Sequence, residues 1–145
     1  MKIVKYSKTV RRILLAAAAL VLAVLLAMAI GRSREKGDTI TDRQERLDYL
    51  CALGWQADAA SEQRQEILLP REFDEVLRNY NELQKQQGFD LERYAGQSAT
   101  LYSYRITNWP DKNATVIADL YCCKGRVVAG DIHSTALDGF MLGLK

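Results

Sequence analysis

From Ile13 to Ile30 the chain runs through eighteen apolar residues without one charged or polar side chain. At about 1.5 Å of rise per residue a helix of that length spans about 27 Å, close to the ~30 Å hydrocarbon core of a bilayer. Leu, Ala and Val cover every side of it, which suits a buried helix of a water-soluble domain poorly, because such a helix keeps a polar face. Five basic residues and no acidic one precede the run (Lys2, Lys5, Lys8, Arg11, Arg12), and positive flanks stay on the cytoplasmic side. The sequence therefore predicts a cytoplasmic basic tail over 1–12, a transmembrane signal anchor over 13–30, and a single-pass protein of the cytoplasmic membrane with its remaining domain outside. The alternative is a secretory signal peptide, since Ala27-Met28-Ala29 has the small-x-small pattern of a cleavage site. Cleavage near Ala29 would release a secreted domain. Both readings export everything after Gly31.

Charge divides the same way. The first twelve residues carry +5, so a net charge of +2 leaves −3 on the rest. A pI of about 8.4 thus does not describe a basic domain, and no basic stripe interleaved with aromatics points to nucleic acid. The twelve-residue tail is too short to fold into a cytoplasmic effector domain, and anionic lipid at the inner leaflet accounts for its lysines and arginines. Residues 31–39 (GRSREKGDT) hold charge, two glycines and no apolar side chain, the composition of a linker. Residues 40–145 suit one small domain.

Within that domain a first helix is predicted from Thr39 or Thr41, where Thr41 and Gln44 have capping-box spacing. Leu47, Leu50 and Cys51 fall on one face, and Gly54 is placed to end the helix. Trp55 reads as a core plug. Glu66 to Leu69 forms a short strand stopped by Pro70. Pro70 also suits the first turn of a second helix, where Glu72, Asp74 and Glu75 oppose the positive end of the dipole. Phe73, Val76, Leu77, Tyr80 and Leu83 recur as one apolar stripe, and Gly88 ends it; Arg78, Asn81, Gln84 and Lys85 read as the solvated side. After Gly96 the period becomes two, with Tyr102, Tyr104 and Ile106 on one face of a strand. Ala114–Cys123 is a second strand of that pattern, Lys124-Gly125 a tight turn, and Arg126–Ile132 a third. Phe140 and Leu142 are expected to tuck against the sheet. The predicted class is α+β: a transmembrane helix, then two helices on a mostly antiparallel sheet of about four strands.

Chemistry is sparse. Cys122 and Cys123 are neighbours in a strand and point to opposite faces. Cys51 could pair with Cys122, which shares the alternation of Val116, Ala118 and Leu120; the alternative is three free thiols that pack as small hydrophobes. His133 is the only histidine. Asp131 shares its face at i−2, while Ser134 and Asp138 complete a candidate functional turn. A nucleophilic triad needs the imidazole near both Ser and acid, but adjacent His133 and Ser134 point apart in a strand. One His, scattered carboxylates and no Cys pair at ligand spacing fall short of a zinc motif, so no catalytic, cofactor or metal residues are assigned and no cofactor is expected.

The stretch Tyr80-Asn81-Glu82-Leu83-Gln84 with Gln87-Gly88-Phe89-Asp90-Leu91, the pairs Gly54-Trp55 and Pro70…Phe73, and the closing Gly130-Asp131…Ser134-Thr135-Ala136-Leu137-Asp138-Gly139-Phe140-Met141 resemble a family of short, membrane-anchored Gram-positive bacterial proteins catalogued as a domain of unknown function. The resemblance covers roughly Arg46 to Leu144. It implies a surface-side bacterial domain behind a single anchor, and it carries no activity with it.

The expected function is a non-enzymatic binding or accessory domain of the bacterial cell envelope that contacts another envelope protein or a cell-wall component. Tyr94, Tyr102 and Tyr104 are the expected contact surface, since tyrosine supplies amphipathic area. Two alternatives stand beside it: a small envelope hydrolase using Ser134 or a Cys with His133, and a sensory or inhibitory ectodomain acting through its anchor helix.

Overall fold

In the computed structural model, residues 39–145 are described. The basic tail, the predicted anchor and most of the predicted linker lie outside the described residues. Among the described residues no helix is long and apolar enough to cross a membrane.

Five strands form one antiparallel sheet in chain order: β1 (Gln63–Leu68), β2 (Ser98–Arg105), β3 (Val116–Cys123), β4 (Arg126–Ser134) and β5 (Met141–Gly143). The α+β class and the antiparallel meander are as predicted. The sheet is one strand larger, because the closing segment returns to pair with β4. There Leu144 is buried, while Leu142 stays exposed.

The helices α1 (Arg43–Ala52) and α2 (Glu75–Gln86) pack on opposite faces. Leu50 of α1 joins Tyr104, Val116, Ala118, Leu120, Cys122 and Ile132 in one core. Leu77 and Tyr80 of α2 pack with Leu69, Phe73, Leu91, Ala99, Tyr121, Cys123 and Ala129 in a second. Successive strand residues alternate between these two cores. The centre of β4 is buried throughout, as expected of a strand covered on both sides.

Local chemistry sets the element ends. The capping box at α1 is Asp42 with Glu45, one residue later than the Thr41–Gln44 spacing predicts: Asp42 Oδ1 accepts the Glu45 N–H at 2.8 Å and Glu45 Oε2 accepts the Asp42 N–H at 3.2 Å. The carboxylates displace the predicted pair because Glu45 also accepts from Thr41 N–H at 2.6 Å. Helix α2 starts at Glu75, beyond Pro70, because Asp74 accepts the Leu77 N–H at 2.8 Å. Lys124 and Gly125, at φ of 50° and 75°, make the two-residue turn whose twist matches a hairpin. A register shift follows at Tyr121/Cys122, where Tyr121 faces Ala129 and Cys122 faces Val127, so Val128 is the extra residue of a bulge.

Candidate functional site

Helix α2 is seated on its polar side. Asn81 and Gln84, predicted to face solvent, are buried, whereas Val76 of the apolar stripe is 77% exposed and Leu77, Tyr80 and Leu83 are only half-buried. Buried backbone groups need partners, and these amides supply them. Asn81 Oδ1 accepts the Leu91 N–H at 2.7 Å; Gln84 Oε1 accepts the Gly130 N–H at 2.9 Å; Gln87 Oε1 accepts the Leu144 N–H at 2.6 Å. Gly130 makes room for this, since a Cβ there would stand 2.2 Å from Leu144 Cδ1 and 2.6 Å from the Asp119 carbonyl oxygen.

The displaced stripe lines a groove of about 770 Å³ between α2 and the sheet, walled by Ile67, Leu68, Val76, Leu77, Tyr80, Leu83, Tyr121 and Met141 among others. Leu68, 71% exposed, forms its outer lip. The charged residues that line it, Glu72 and Asp74, are both acidic. An exposed apolar strip with a polar rim is the usual mark of an interaction site.

A polar cluster occupies the same face. Register places Ser103 opposite Asp119 and Asp119 opposite Asp131 across β2, β3 and β4. Asp131 is 1% exposed; its Oδ2 accepts the Tyr80 hydroxyl at 2.7 Å and its Oδ1 lies 2.8 Å from His133 Nδ1. Ser103 Oγ donates to Asp119 Oδ1. Burial raises the Asp119 carboxyl above its ordinary value, and the neighbouring Asp131 charge adds to this against the opposing Ser103 and His133. Burial, with Asp119 and Asp131 nearby, pushes the Tyr121 phenol up to about 12; burial and the Asp131 charge raise Tyr80 far beyond its usual range. Both phenols are therefore neutral near pH 7. Ligand atoms of Asp119, Asp131 and His133 all lie within 4.8 Å of one another. Asp119 and His133 also line a concavity of about 720 Å³ with Ser61, Gln63, Ser103 and Ile117.

The predicted pair Asp131–His133 is thus brought together, with Asp131 a buried strand residue bonded to side chains and not part of a turn. Ser134 pairs with Val116 on the other face, and its Oγ accepts the Ala136 N–H at 3.2 Å, so no Ser–His contact forms. Asp138 is exposed in the β4–β5 loop. All three cysteines are free thiols, and the Cys51–Cys122 pair is not formed. Leu50 and Arg46 occupy the inner face of α1, which turns Cys51 outward, while Cys122 is buried and burial pushes its thiol up to about 11.

Of the three tyrosines expected to form a contact surface, Tyr104 does not reach it, and Tyr94 and Tyr102 are half-buried. Tyr104 is fully buried; its hydroxyl accepts from Arg46 Nε at 2.8 Å and donates to Glu62. The Arg46 guanidinium lies 3.7 Å over the Tyr102 ring, and Tyr94 packs in the second core. Amphipathic tyrosines in a small sheet serve the core before the surface, because burying a ring and satisfying its hydroxyl are both favourable there. Sequence reasoning missed Asp119, Ser103 and the open flank of α2. Asp119 sits in an otherwise apolar strand, which was the available signal.

Residues 49–132, more than half of the chain, match the family model described as a domain of unknown function, DUF4830, and the chain belongs to that family. The match takes in Asn81, Gln84, Asp119 and Asp131 and ends one residue before His133. No curated protein and no solved structure matches the chain.

Proposed function

We propose that this member of the family is a non-enzymatic binding domain, tethered by residues 13–30 at the outer face of a Gram-positive bacterial membrane, whose α2 groove docks a segment of another envelope protein. The observation that carries this is the seating of α2: Val76 of its apolar stripe is exposed and Leu77, Tyr80 and Leu83 are only half-buried along the groove, while Asn81 and Gln84 are buried. Local rules broken in this way mark function more often than defect. The acidic rim from Glu72 and Asp74 selects the occupant, an apolar segment with Lys or Arg beside it, by charge complementarity.

Among the described residues, the hydrogen bond of the His133 imidazole is to Asp131 and not to Ser134 or a cysteine, the nucleophiles the hydrolase alternative needs. Ser134 is on the opposite face, and Cys122 and Cys123 are buried. The test is chemical crosslinking on intact cells with mass spectrometry of the captured proteins. One reproducible envelope partner, lost in Val76→Lys with melting unchanged, supports the reading; a partner captured equally by Val76→Lys and Leu68→Lys chains refutes it. Replacing the anchor by an unrelated transmembrane helix distinguishes an ectodomain that signals through the membrane, because docking in the groove survives that exchange.

A further inference from the structure

We infer that Asp119, Asp131 and His133 bind a divalent transition-metal cation. Of the groove residues, Tyr80 donates to this set, and the two sites have separate tests.

The first support is convergence. Three side chains from neighbouring strands bring ligand atoms within 4.8 Å of one another. Three atoms no more than 4.8 Å apart lie within ~2.8 Å of a common point, against a metal–ligand bond of ~2.1 Å, so the set closes onto a cation with side-chain movements of under about an ångström.

The second is charge. Asp119 and Asp131 stand directly opposite each other on paired strands, an arrangement that destabilises a sheet when both are ionised. Asp131 is almost entirely buried, where repulsion is screened least. Among the described residues, the ion pairs formed by these two carboxylates include no Lys or Arg and reach only His133, through Asp131. An in-register pair of carboxylates, one buried and one half-buried, flanked by an imidazole is explained by a cation between them.

The third is support around the set. Tyr80 donates to Asp131 and Ser103 to Asp119, which fixes both carboxylates as outer hydrogen bonds do at metal sites. One imidazole and two carboxylates are a nitrogen–oxygen donor set suited to Zn²⁺ or Mn²⁺. Three protein ligands leave coordination positions open to water or an incoming anion, and the concavity lined by Asp119 and His133 admits both.

The experiment is titration of the purified full chain in detergent with Zn²⁺ and with Mn²⁺. A Cys51→Ser background removes the one exposed thiol. One saturable equivalent is expected for at least one of the ions, with affinity reduced at least ~10-fold in both Asp119→Asn and His133→Ala. The metal-free Asp119→Asn chain melts at or above its parent, because the opposed charge is gone, which separates loss of a ligand from loss of the fold. Absence of a saturable equivalent with both ions, or parental affinity in either variant, overturns the site.

Discussion

Gln84 Oε1 accepts the backbone N–H of Gly130 at 2.9 Å, which fastens the polar side of α2 to the sheet, while Asn81 holds the turn at Leu91. The helix is therefore held by amide hydrogen bonds beside the packing of Leu77 and Tyr80, where an apolar stripe alone would ordinarily do it. Gln84→Met keeps the volume but leaves a buried N–H without an acceptor, which costs about 1–3 kcal/mol. Urea unfolding checks this: the midpoint falls with the slope unchanged, and a parental midpoint contradicts the anchoring role.

Gly130→Ala attacks the same junction from the sheet. A Cβ there meets the Asp119 carbonyl at 2.6 Å, and backbone cannot move aside as a flexible side chain can. Overpacking of this kind costs about 1–3 kcal/mol or more. A lowered melting temperature is expected; an unchanged one shows that β4 and β3 separate easily at this point.

Arg46 and Glu62 predict an acid limb in stability. Burial pushes the Glu62 carboxyl upward, but hydrogen bonds from Tyr104, Arg43 and Arg46 outweigh it and hold the group at about 2, against 4.5 for the free side chain. A carboxylate with a depressed folded value binds fewer protons folded than unfolded. Its stabilisation is present above pH ~4.5 and is lost as pH falls toward 2. The loss is at most about 3 kcal/mol, and Glu62→Gln flattens that part of the stability curve. Arg46→Met at pH 7 leaves Glu62 with Arg43 and the Tyr104 hydroxyl as partners and costs less than the ~3–5 kcal/mol of a fully unpaired buried charge. Equal acid limbs in the parent and Glu62→Gln chains contradict the assignment.

The thiols separate by exposure. Cys51 is exposed, and Cys122 and Cys123 are buried, with burial raising both buried thiols. Iodoacetamide is expected to label one cysteine in the native chain and three in urea, read by intact mass. Native labelling of Cys122 contradicts its placement in the core between α1 and the sheet.

Elements with an unambiguous period were legible in the sequence. The meander, the Lys124-Gly125 turn and the existence of both helices follow from alternation, turn residues and 3.6-residue spacing. The placement of α2 was not, because periodicity shows which residues share a face and says nothing of which face is buried. Gln84 and Asn81 are buried for hydrogen bonds to Gly130 and Leu91, partners 46 and 10 residues away that pattern alone cannot supply. The Asp119–Asp131 pairing was hidden for a related reason. Counting back from a two-residue turn sets Asp119 opposite Gly130, and the bulge at Val128 shifts the register by one. A single unpaired residue thus brings two carboxylates together. Tyr104 misled because its alternation fits a surface-facing and a core-facing strand position equally well.

The most direct measurement places a photoreactive amino acid at Val76, in the groove, and separately at Asp48, exposed on α1 across the sheet, in cells that make the full chain. The account predicts an adduct with one envelope protein from position 76 and none from 48, mapped to an apolar peptide bearing Lys or Arg. Adducts from position 48 alone, or the same adduct from both positions, contradict a docking groove beside α2.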